Sequence, residues 1–530
     1  MRDFALPGRS PVYASQATVA TSHPLASQTA LEVLRRGGNA VDAGIAAVAL
    51  LGIVEPQMTG VGGDCFALYL PAGAAVPIAL NGSGRAPAAA DAAWFHARGM
   101  TAIDPHGAHA VTMPGAVAAW CRLLAAHGTR GIDELLQPAI AAAEQGVPVA
   151  PRVAFDWARD AHLLRSEAAR RLFLVDGSAP TAGTLHRQPE MARTLREIAR
   201  HGHAGFYDGW VAQDIVATLR AAGGLHTLED LAATQPEFVT PISTDYRGHR
   251  VFECPPNGQG LAVLMMLNVL SAVAPEAGGI AASSGVDRVH LLAEIGKQAY
   301  AHRDALFCDP AQNDVPVAQL LSREWAERQR DAIDPGRAGT PTVWPAVGHQ
   351  DTVYLSVVDR DGNALSLINS IFHSFGSTIA APRSGVLLQN RGAGFSLQPG
   401  HPNLIAPGKR PMHTIIPGML MKDGRFDASF GVMGGQYQAS GHVALLSNVL
   451  DLGLDPQAAL DAPRSFAFGP ELDLESGMPA AFDAELARRG HRVVRSGQPI
   501  GGGQMIRRDE RSGVLVAGSD PRKDGCALGY

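Results

Sequence analysis

The residue types that most often carry out chemistry are scattered along this sequence rather than gathered in short motifs. The five cysteines stand at wide spacings that fit neither a disulfide framework nor a paired-cysteine zinc site: Cys65, Cys121, Cys254, Cys308 and Cys526. Five histidines lie in loop-like sequence without acidic residues at ligand spacing: His96, His106, His109, His201 and His203. We therefore expect free thiols and solvated histidines, and neither a metal site nor a cofactor.

A glycine-rich turn at 60–63 invites a phosphate-binding interpretation. No Lys-Ser/Thr pair follows it, and no GxGxxG pattern is present, so the sequence does not predict a P-loop or a dinucleotide site. The formal net charge is only −6 over 530 residues, and no block of Lys and Arg suggests a phosphate-binding face. Nucleic acid is therefore not an expected partner.

One threonine has a sequence context that could support catalysis. Residues 325–350 are polar, rich in Gly and Pro and without periodicity, which is typical of an exposed linker. An alternating stretch on both sides of the turn at 361–363 then predicts a β-hairpin, with Thr352 at the first position of an inner strand. A threonine hydroxyl is a poor nucleophile unless a base such as its own freed N-terminal amine takes its proton. Taken alone, a threonine at the head of a strand indicates only strand structure.

The elements around this hairpin alternate between helix and strand. A strand is predicted at 17–21, followed by a helix that begins through Ser22 with Pro24 in its first turn. Asn39 can cap a second helix, which is apolar on nearly every side from Ala40 to Ile53 and therefore buried. Residues 113–300 are mainly helical by pattern, whereas the chain after 352 is strand-rich with one helix near 437–451.

The composition is that of a packed soluble protein, with 46% hydrophobic and 18% charged residues. The longest apolar run, Ala43 to Val54, falls well short of the roughly 20 residues needed to cross a bilayer, so no membrane association is expected. The first residues lack the basic segment and apolar core of a secretory signal. We expect a cytoplasmic protein.

Several motifs in a consistent order give this chain a strong family resemblance. TSHPLASQTALEVLRRGGNAVDA and EPQMTGVGGD resemble the beginning of the γ-glutamyltransferases (γ-glutamyltranspeptidases). DTVYLSVVDRDGNALS, PGKRP, VMGGQ, DAPR and the terminal SDPR…GY are similar to the catalytic half of the same family. The resemblance spans nearly the whole chain.

The resemblance implies an α/β (α+β) fold, the four-layer αββα sandwich of the N-terminal-nucleophile hydrolases, made as a self-cleaving precursor. The cut would fall between Asp351 and Thr352, leaving fragments 1–351 and 352–530 as an intertwined heterodimer that could itself pair as a homodimer. Thr352 would be both nucleophile and, through its new amine, base. The backbone amides of Gly434 and Gly435 would form the oxyanion hole, and Ser370 would hydrogen-bond Thr352.

The glutamyl-binding residues of the family are mostly absent. Ser83 stands where the family has an arginine for the substrate α-carboxylate, and Gly394 stands where it has an acidic residue for the α-ammonium. Phe372 replaces a polar amide on the second hairpin strand, and Arg391 replaces a glutamine. His413-Thr414 replaces a pair of serines.

A pocket that has lost a carboxylate and gained Arg391 favours anions over an ammonium group. Arg85, two residues beyond Ser83, would point to the same face of an extended segment and could reach a carboxylate, or it could be a surface residue. GSGRAP, LLQNRGAGFSL and HPN resemble the branch of the family that includes oxamate amidohydrolases. Hydrolysis of a small carboxylated amide such as oxamate, to oxalate and ammonia, is therefore the expected activity.

Three other functions stay open. The chain could be a γ-glutamyltransferase or hydrolase acting on glutathione-like substrates through different contacts, or a related side-chain acylase. It could also be a relative that no longer processes itself and acts as a binding or scaffold protein. Retention of Thr352 and of Gly434-Gly435 argues against this last function.

Overall fold

The computed structural model describes residue 5 and residues 8–273, 285–340 and 352–530. The strands are β1 (Val12–Ala14), β2 (Thr18–Thr21), β3 (Asp64–Leu70), β4 (Ile78–Gly82), β5 (Val147–Pro148), β6 (Leu185–His186), β7 (Glu237–Val239), β8 (Ile242–Tyr246), β9 (His249–Glu253), β10 (Val353–Val358), β11 (Ala364–Ser370), β12 (Gly418–Lys422), β13 (Arg425–Met433), β14 (Ser465–Phe468), β15 (Glu471–Leu474), β16 (Arg492–Arg495), β17 (Gly502–Arg508), β18 (Leu515–Ser519) and β19 (Cys526–Gly529).

The helices are α1 (Pro24–Arg35), α2 (Ala40–Val54), α3 (Ala92–His96), α4 (Ala116–His127), α5 (Ile132–Leu135), α6 (Gln137–Gln145), α7 (Pro151–Asp160), α8 (Glu167–Phe173), α9 (Pro189–His201), α10 (Ala204–Tyr207), α11 (Gly209–Ala221), α12 (Leu228–Ala232), α13 (Gly260–Val273), α14 (Gly285–Leu306), α15 (Val317–Leu320), α16 (Arg323–Asp331), α17 (Tyr437–Leu450), α18 (Pro456–Asp461) and α19 (Ala481–Arg488). Short 3-10 turns cover Ala108–Ala110, Ala161–Leu163 and Arg391–Gly394.

Two seven-stranded sheets form the centre of the molecule. One has the strand order β19-β2-β10-β11-β3-β4-β7, and the other has the order β1-β18-β17-β13-β12-β9-β8. All pairings within these two sheets are antiparallel. Both sheets combine strands from before and after residue 352: β10 and β11 lie between β2 and β3 in one, and β18, β17, β13 and β12 lie between β1 and β9 in the other.

Three apolar cores separate four layers. The core between the sheets includes Phe66, Tyr354 and Ile506. A second core packs α2 and α4 against the sheet that contains β10. A third packs α13 and α17 against the sheet that contains β13. The order is therefore helix, sheet, sheet, helix, which confirms the predicted αββα sandwich.

The helices at the start of the chain form for the predicted reasons. Asn39 caps α2 in a capping box with Asp42, and all but one residue of this helix is buried. The cap of α1 is His23 rather than Ser22, with Pro24 in the first turn. The Ser22 hydroxyl instead donates to the buried carboxylate of Glu55, so tertiary contact decides its role.

Two other expectations were incomplete or wrong. Residues 113–300 contain, besides helices, the five strands β5 to β9; of these, β7 and β8 lie at edges of the two seven-stranded sheets and β9 pairs β8 with β12. The start of the predicted linker is helical, because Ser322 caps α16 and Trp325 and Ala326 are buried against the core. The rest of that linker from 341 to 350 lies outside the described residues.

None of the helices in the described ranges combines the length and the hydropathy that crossing a membrane requires. The five cysteines are free thiols, as expected. Burial raises the pKa of Cys65 and Cys254 far above the usual range of a thiol, so these two are packing residues rather than nucleophiles.

Candidate active site

Thr352 lies at the head of β10, in the middle of one sheet, and is 2% exposed. Its hydroxyl oxygen is 3.1 Å from the hydroxyl oxygen of Ser370, at the end of the neighbouring strand β11. The hairpin register pairs Val353 with Asn369, so Ser370 stands opposite Thr352 as the sequence predicted. Asp351 lies outside the described residues.

The stacking of the two sheets brings Thr352 toward the glycine pair after β13. The hydroxyl of Ser356 donates to that of Ser429 at 2.7 Å, and the ring of Tyr354 lies directly over Gly431. Side chains two residues apart on a strand share a face. Moving from Ser356 to Tyr354 on β10 therefore corresponds to moving from Ser429 to Gly431 on β13. Continued two residues further, the same correspondence directs Thr352 toward the end of β13, the strand that leads into Gly434.

Gly434 and Gly435 form the turn between β13 and α17. Gly434 has φ +124° and Gly435 has φ +54°, and a side chain at Gly434 would be strained and would crowd the backbone of Gly501. The turn leads into α17, whose first two backbone amides, those of Tyr437 and Gln438, donate back to the carbonyls of Gly434 and Gly435 at 3.0 and 3.3 Å. The amides of Gly434 and Gly435 themselves are therefore the ones that the family resemblance assigns to a developing oxyanion.

Gln259 ties this turn to the rest of the site. Its amide nitrogen donates to the carbonyl of Gly435 at 3.0 Å and to the carbonyl of Thr414 at 2.7 Å. Its amide oxygen accepts from Arg303 at 2.7 Å, and Arg303 also donates to the side chain of Gln436 at 2.5 Å. The sequence interpretation included Gln436 only as part of the VMGGQ motif and missed Gln259 and Arg303, because no local motif marks residues so far from Gly435 in the chain.

Phe372 and Arg391 form one wall of the site. The backbone amide of Phe372 donates to the Ser370 hydroxyl at 2.9 Å, which places Phe372 just past the end of β11 rather than on the strand as expected. Phe372 has φ +78°, an uncommon conformation for a bulky residue. The guanidinium carbon of Arg391 lies 3.7 Å from the centre of the Phe372 ring.

Arg391 is a buried cation with few hydrogen bonds. Its Nη1 donates to the Thr414 hydroxyl at 2.9 Å, whereas Nε and Nη2 find no acceptor within the described part of the chain. Burial lowers the pKa of Arg391 to about 9, so it remains charged at neutral pH. A buried charge without a partner is costly, and unmet donors of this kind suit an anionic ligand.

The carboxylate whose charge acts on Arg391 is that of Asp64, and it already accepts hydrogen bonds from other groups. Asp64 accepts from the backbone amides of Gly84 and Gly115 at 3.0 and 3.1 Å, from Gln389 at 2.9 Å and from His413 at 3.0 Å. Burial, followed by the charge of Arg391, lowers the pKa of His413 to about 4, so His413 is neutral. His413 therefore supports Asp64 and does not itself supply a charge.

Arg85 and Ser83 face other partners. Arg85 pairs with Glu237 at 2.8 Å, donates to the carbonyl of Gly408 at 3.0 Å and keeps 36% of its side chain exposed. The Ser83 hydroxyl accepts from Asn257 at 3.0 Å. The ion pair and the exposure of Arg85 are those of a surface residue, which was the second of its two interpretations.

A cavity of about 900 Å³ opens beside this site. Its lining includes Phe372, Gly394, Gln436, Arg303 and Arg159. Phe372 connects the cavity to Ser370 and Thr352, and Gln436 connects it to Gly435. Of the predicted site residues, Thr352, Ser370, Phe372, Arg391, Thr414, Gly394, Gly434 and Gly435 are thus joined through direct contacts or shared partners.

The glycine turn at 60–63 has a structural role in this arrangement. A side chain at Gly63 would lie 2.3 Å from the carbonyl of Ser370, and one at Gly62 would lie 2.1 Å from the carbonyl of Leu387. These glycines therefore let the turn approach two backbone segments closely, the end of β11 and the segment at Leu387. Their contacts are with protein backbone, which accounts for them without phosphate.

A four-layer sandwich of two antiparallel sheets between helical layers is the architecture of the N-terminal-nucleophile hydrolases. The family model for γ-glutamyltranspeptidase matches residues 26–530, and the chain belongs to this family. It is accordingly an enzyme of amide hydrolysis or acyl transfer.

Relatives cover the chain from end to end. It is 35% identical to the glutathione hydrolase-like YwrD proenzyme of Bacillus subtilis, over 98% of this chain and 99% of that protein. It is also 35% identical to the oxamate amidohydrolase proenzyme of Klebsiella pneumoniae, over 96% and 97% of the two chains. The crystal structure of a cephalosporin acylase from Bacillus halodurans is similar with a TM-score of 0.92 and 40% identity, covering 100% of this chain and 99% of that one. These three names span three different amide substrates.

Proposed function

We propose that the chain cleaves itself before Thr352 and then hydrolyses an amide that carries a carboxylate close to the scissile carbonyl, of which oxamate is the simplest. The observation that carries this proposal is the buried guanidinium of Arg391, whose Nε and Nη2 have no acceptor among the described residues. A substrate carboxylate would supply both the missing charge and the missing hydrogen bonds, which are strongest in this bidentate form.

Self-cleavage would use the same hydroxyl as the later reaction. The Thr352 hydroxyl attacks the carbonyl of Asp351, and the peptide nitrogen leaves to become the amine of Thr352. Water then hydrolyses the resulting ester, which frees the hydroxyl and leaves a carboxylate on Asp351. The products are the fragments 1–351 and 352–530, held together because both contribute strands to each sheet.

In the mature enzyme, the neutral amine of Thr352 takes the proton of its own hydroxyl, and the oxygen attacks the substrate carbonyl. An α-amino group titrates near 7.7–8.0, so a useful fraction is neutral at pH 7. The amides of Gly434 and Gly435 would stabilise the oxyanion, and ammonia would leave with the proton returned by the amine. Water then hydrolyses the acyl ester, giving oxalate when the substrate is oxamate.

The cavity offers little to an α-ammonium group. Its two carboxylates among the described residues are both in ion pairs, Asp160 with Arg159 and Asp304 with Arg303, each at 2.6 Å. Gly394, at the position where the family places an acidic residue, has no side chain to contribute. A γ-glutamyl group would therefore leave its ammonium without a partner, which disfavours glutathione and glutamine as substrates.

The size of the cavity favours a second candidate, a side-chain acylase acting on a longer carboxylated acyl group. A volume of about 900 Å³ is far larger than oxamate requires, and part of the lining is apolar, including Phe307, Phe395 and Met412. A dicarboxylic acyl chain could place its distal carboxylate near Arg391 or Arg303 and still present its amide to Thr352.

Ammonia release from oxamate and from glutamine, measured side by side with amine release from a glutaryl amide, tests these alternatives. The protein used should first be shown by intact mass to be cut before Thr352. We expect turnover of oxamate and none of glutamine. Turnover of the glutaryl amide alone would establish the acylase, and turnover of glutamine alone would overturn the role given to Arg391.

A further inference from the structure

A second buried polar cluster lies away from the active site, where α14 meets the segment that leads into β16. His290 and Glu294 stand one turn apart on α14, and His491 immediately precedes β16. These three side chains are 2%, 6% and 6% exposed. The sequence interpretation missed the cluster, because it relies on a histidine about two hundred residues from the other two ligands.

The three side chains converge on one point. One ligand atom from each, a ring nitrogen of either histidine and a carboxylate oxygen of Glu294, lies within 4.8 Å of the other two. His290 Nδ1 is 2.7 Å from His491 Nε2, and His491 Nε2 is 3.8 Å from Glu294 Oε1. Zinc bonds of about 2.0–2.1 Å in a tetrahedron separate neighbouring ligand atoms by roughly 3.4 Å, between these two distances.

Outer contacts already orient two of the three ligands. His290 Nε2 donates to the carbonyl of Asp334 at 2.9 Å, which leaves its Nδ1 as the nitrogen that can accept a proton or a metal. Glu294 Oε2 accepts from the backbone amide of Gly339 at 2.8 Å, which leaves Oε1 directed at the histidines. Carbonyl and amide contacts of this kind are what holds metal ligands in place in proteins.

We propose that His290, Glu294 and His491 bind one transition-metal ion of the zinc class. The ion replaces the proton that His491 now shares with His290, and a water completes the tetrahedron. Lys297 lies 2.7 Å from Glu294 Oε1 and is the competing cation. Its ammonium also lies 3.4 Å from the carbonyl of Gly339, toward which it can turn when the ion enters.

The ligands come from both sides of residue 352. His290 and Glu294 precede it and His491 follows it, so an ion bound here cross-links the two parts of the chain at the outer helical layer. This site is independent of the substrate proposed above, and its test does not require activity.

Chelator-treated full-length protein should be titrated with Zn²⁺ by calorimetry and with Co²⁺ by visible absorption, which reports tetrahedral coordination. We expect one saturable equivalent, a tetrahedral cobalt spectrum and a rise in melting temperature of about 2–4 °C at saturating metal. Glu294→Gln should weaken binding at least about tenfold, and His491→Asn should abolish it. Lys297→Gln should tighten binding, because it removes the competing charge.

His302→Asn is the matched control, since His302 lies on the same helix about 18 Å along its axis from His290. Its affinity for zinc should equal that of the wild type. Absence of a one-equivalent tetrahedral site, or equal affinity in wild type and Glu294→Gln, would overturn the proposal. If His491→Asn fails to fold by circular dichroism, the opposite shifts expected of Glu294→Gln and Lys297→Gln decide the question.

Discussion

Arg391 was expected to favour an anionic substrate and Arg85 was one further candidate for its carboxylate, and the structure gives the two arginines opposite surroundings. Arg391 is 1% exposed, stacks on Phe372 and keeps two donor atoms without an acceptor in the described chain. Arg85 keeps 36% of its side chain exposed and already has a carboxylate, Glu237. The comparison teaches that unmet hydrogen-bonding capacity, rather than residue type, marks the arginine that is ready for a ligand.

The charge environment of the two arginines differs in the same way. Burial and then Arg391 lower the pKa of His413, so the region around Arg391 excludes further positive charge. Around Arg85, burial alone would raise the pKa of Glu237, but the charges of Arg410 and Arg85 offset this and lower it. The carboxylate near Arg391, that of Asp64, accepts hydrogen bonds from other groups, whereas Arg85 is bonded directly to the carboxylate of Glu237.

The largest expected effect comes from Thr352→Ala, because the two arginines can be compared as substrate contacts only if Thr352 is the nucleophile. Loss of the hydroxyl removes the nucleophile for cleavage and for turnover, so the protein should stay as one chain and lose at least about 10⁴-fold in kcat/KM. A denaturing gel and the ammonia assay check the two results. Ser512→Ala, at an exposed turn, is the control and should be cleaved and active. A cleaved, active Thr352→Ala protein would remove Thr352 from the mechanism.

The comparison itself is tested by Arg391→Gln and Arg85→Gln. Loss of a charged hydrogen bond worth about 1.5–3 kcal/mol should raise KM for the anionic amide by roughly 10–150-fold in Arg391→Gln. Arg85→Gln removes an exposed ion pair and should change KM by less than about threefold. Equal KM values in the two variants would show that Arg391 does not contact the substrate, and a larger effect at Arg85 would reverse the assignment.

Ser370→Ala should have a smaller effect. The Ser370 hydroxyl contacts that of Thr352 and accepts from the amide of Phe372, so its loss should loosen both the nucleophile and the wall that covers Arg391. One neutral hydrogen bond of about 0.5–1.5 kcal/mol corresponds to a roughly twofold to tenfold loss in kcat. Ser370→Thr keeps the hydroxyl and should retain most of the activity. An unchanged kcat in Ser370→Ala would mean that this hydroxyl does not position Thr352.

Local sequence pattern was sufficient for the hairpin that carries Thr352, whereas the αββα sandwich was predicted from the family resemblance. The polar/apolar alternation around the 361–363 turn fixes which residues pair, and this pairing sets Ser370 opposite Thr352. The Asn39 cap and the apolar surface of α2 likewise required no knowledge of the partner elements. Resemblance, not pattern, identified Gly434 and Gly435, because a glycine pair alone indicates only a turn.

The partners of charged side chains could not be read from the sequence. Alternation along an extended segment shows which side chains share a face, but it does not show which groups lie opposite them. It therefore could not reveal that Arg85 pairs with Glu237, or that Nε and Nη2 of Arg391 have no acceptor among the described residues. Gln259 and Arg303 were missed for the same reason, since their contacts join segments more than a hundred residues from Gly435 and Gln436. Phe372 was predicted to lie on the strand because the sequence pattern does not show where β11 ends. The strand ends there through contacts that the pattern does not contain, namely the hydrogen bond from the Phe372 amide to the Ser370 hydroxyl and the positive φ of Phe372.

The last expected difference is in acid stability, and it again separates the two arginines. In the folded chain the pKa of His413 is about 4, lowered first by burial and then by Arg391, and that of His373 is about 3 for the same two causes. The ordinary value in the unfolded chain is 6.5, so the unfolded state binds more protons as the pH falls below it. The free energy of unfolding should therefore decrease from about pH 6.5 toward pH 4.

Removing the charge of Arg391 should raise the folded-state pKa of His413 and His373 toward 6.5. The folded and the unfolded chain would then differ less in the number of protons that they bind. Arg391→Gln should therefore show a shallower loss of stability than the wild type between pH 6.5 and 4, whereas Arg85→Gln should run parallel to it. Urea unfolding at a series of pH values measures the slopes directly. Identical slopes for wild type and Arg391→Gln would mean that burial alone depresses these histidines, and that the charge of Arg391 is neutralised by a group not among its described neighbours.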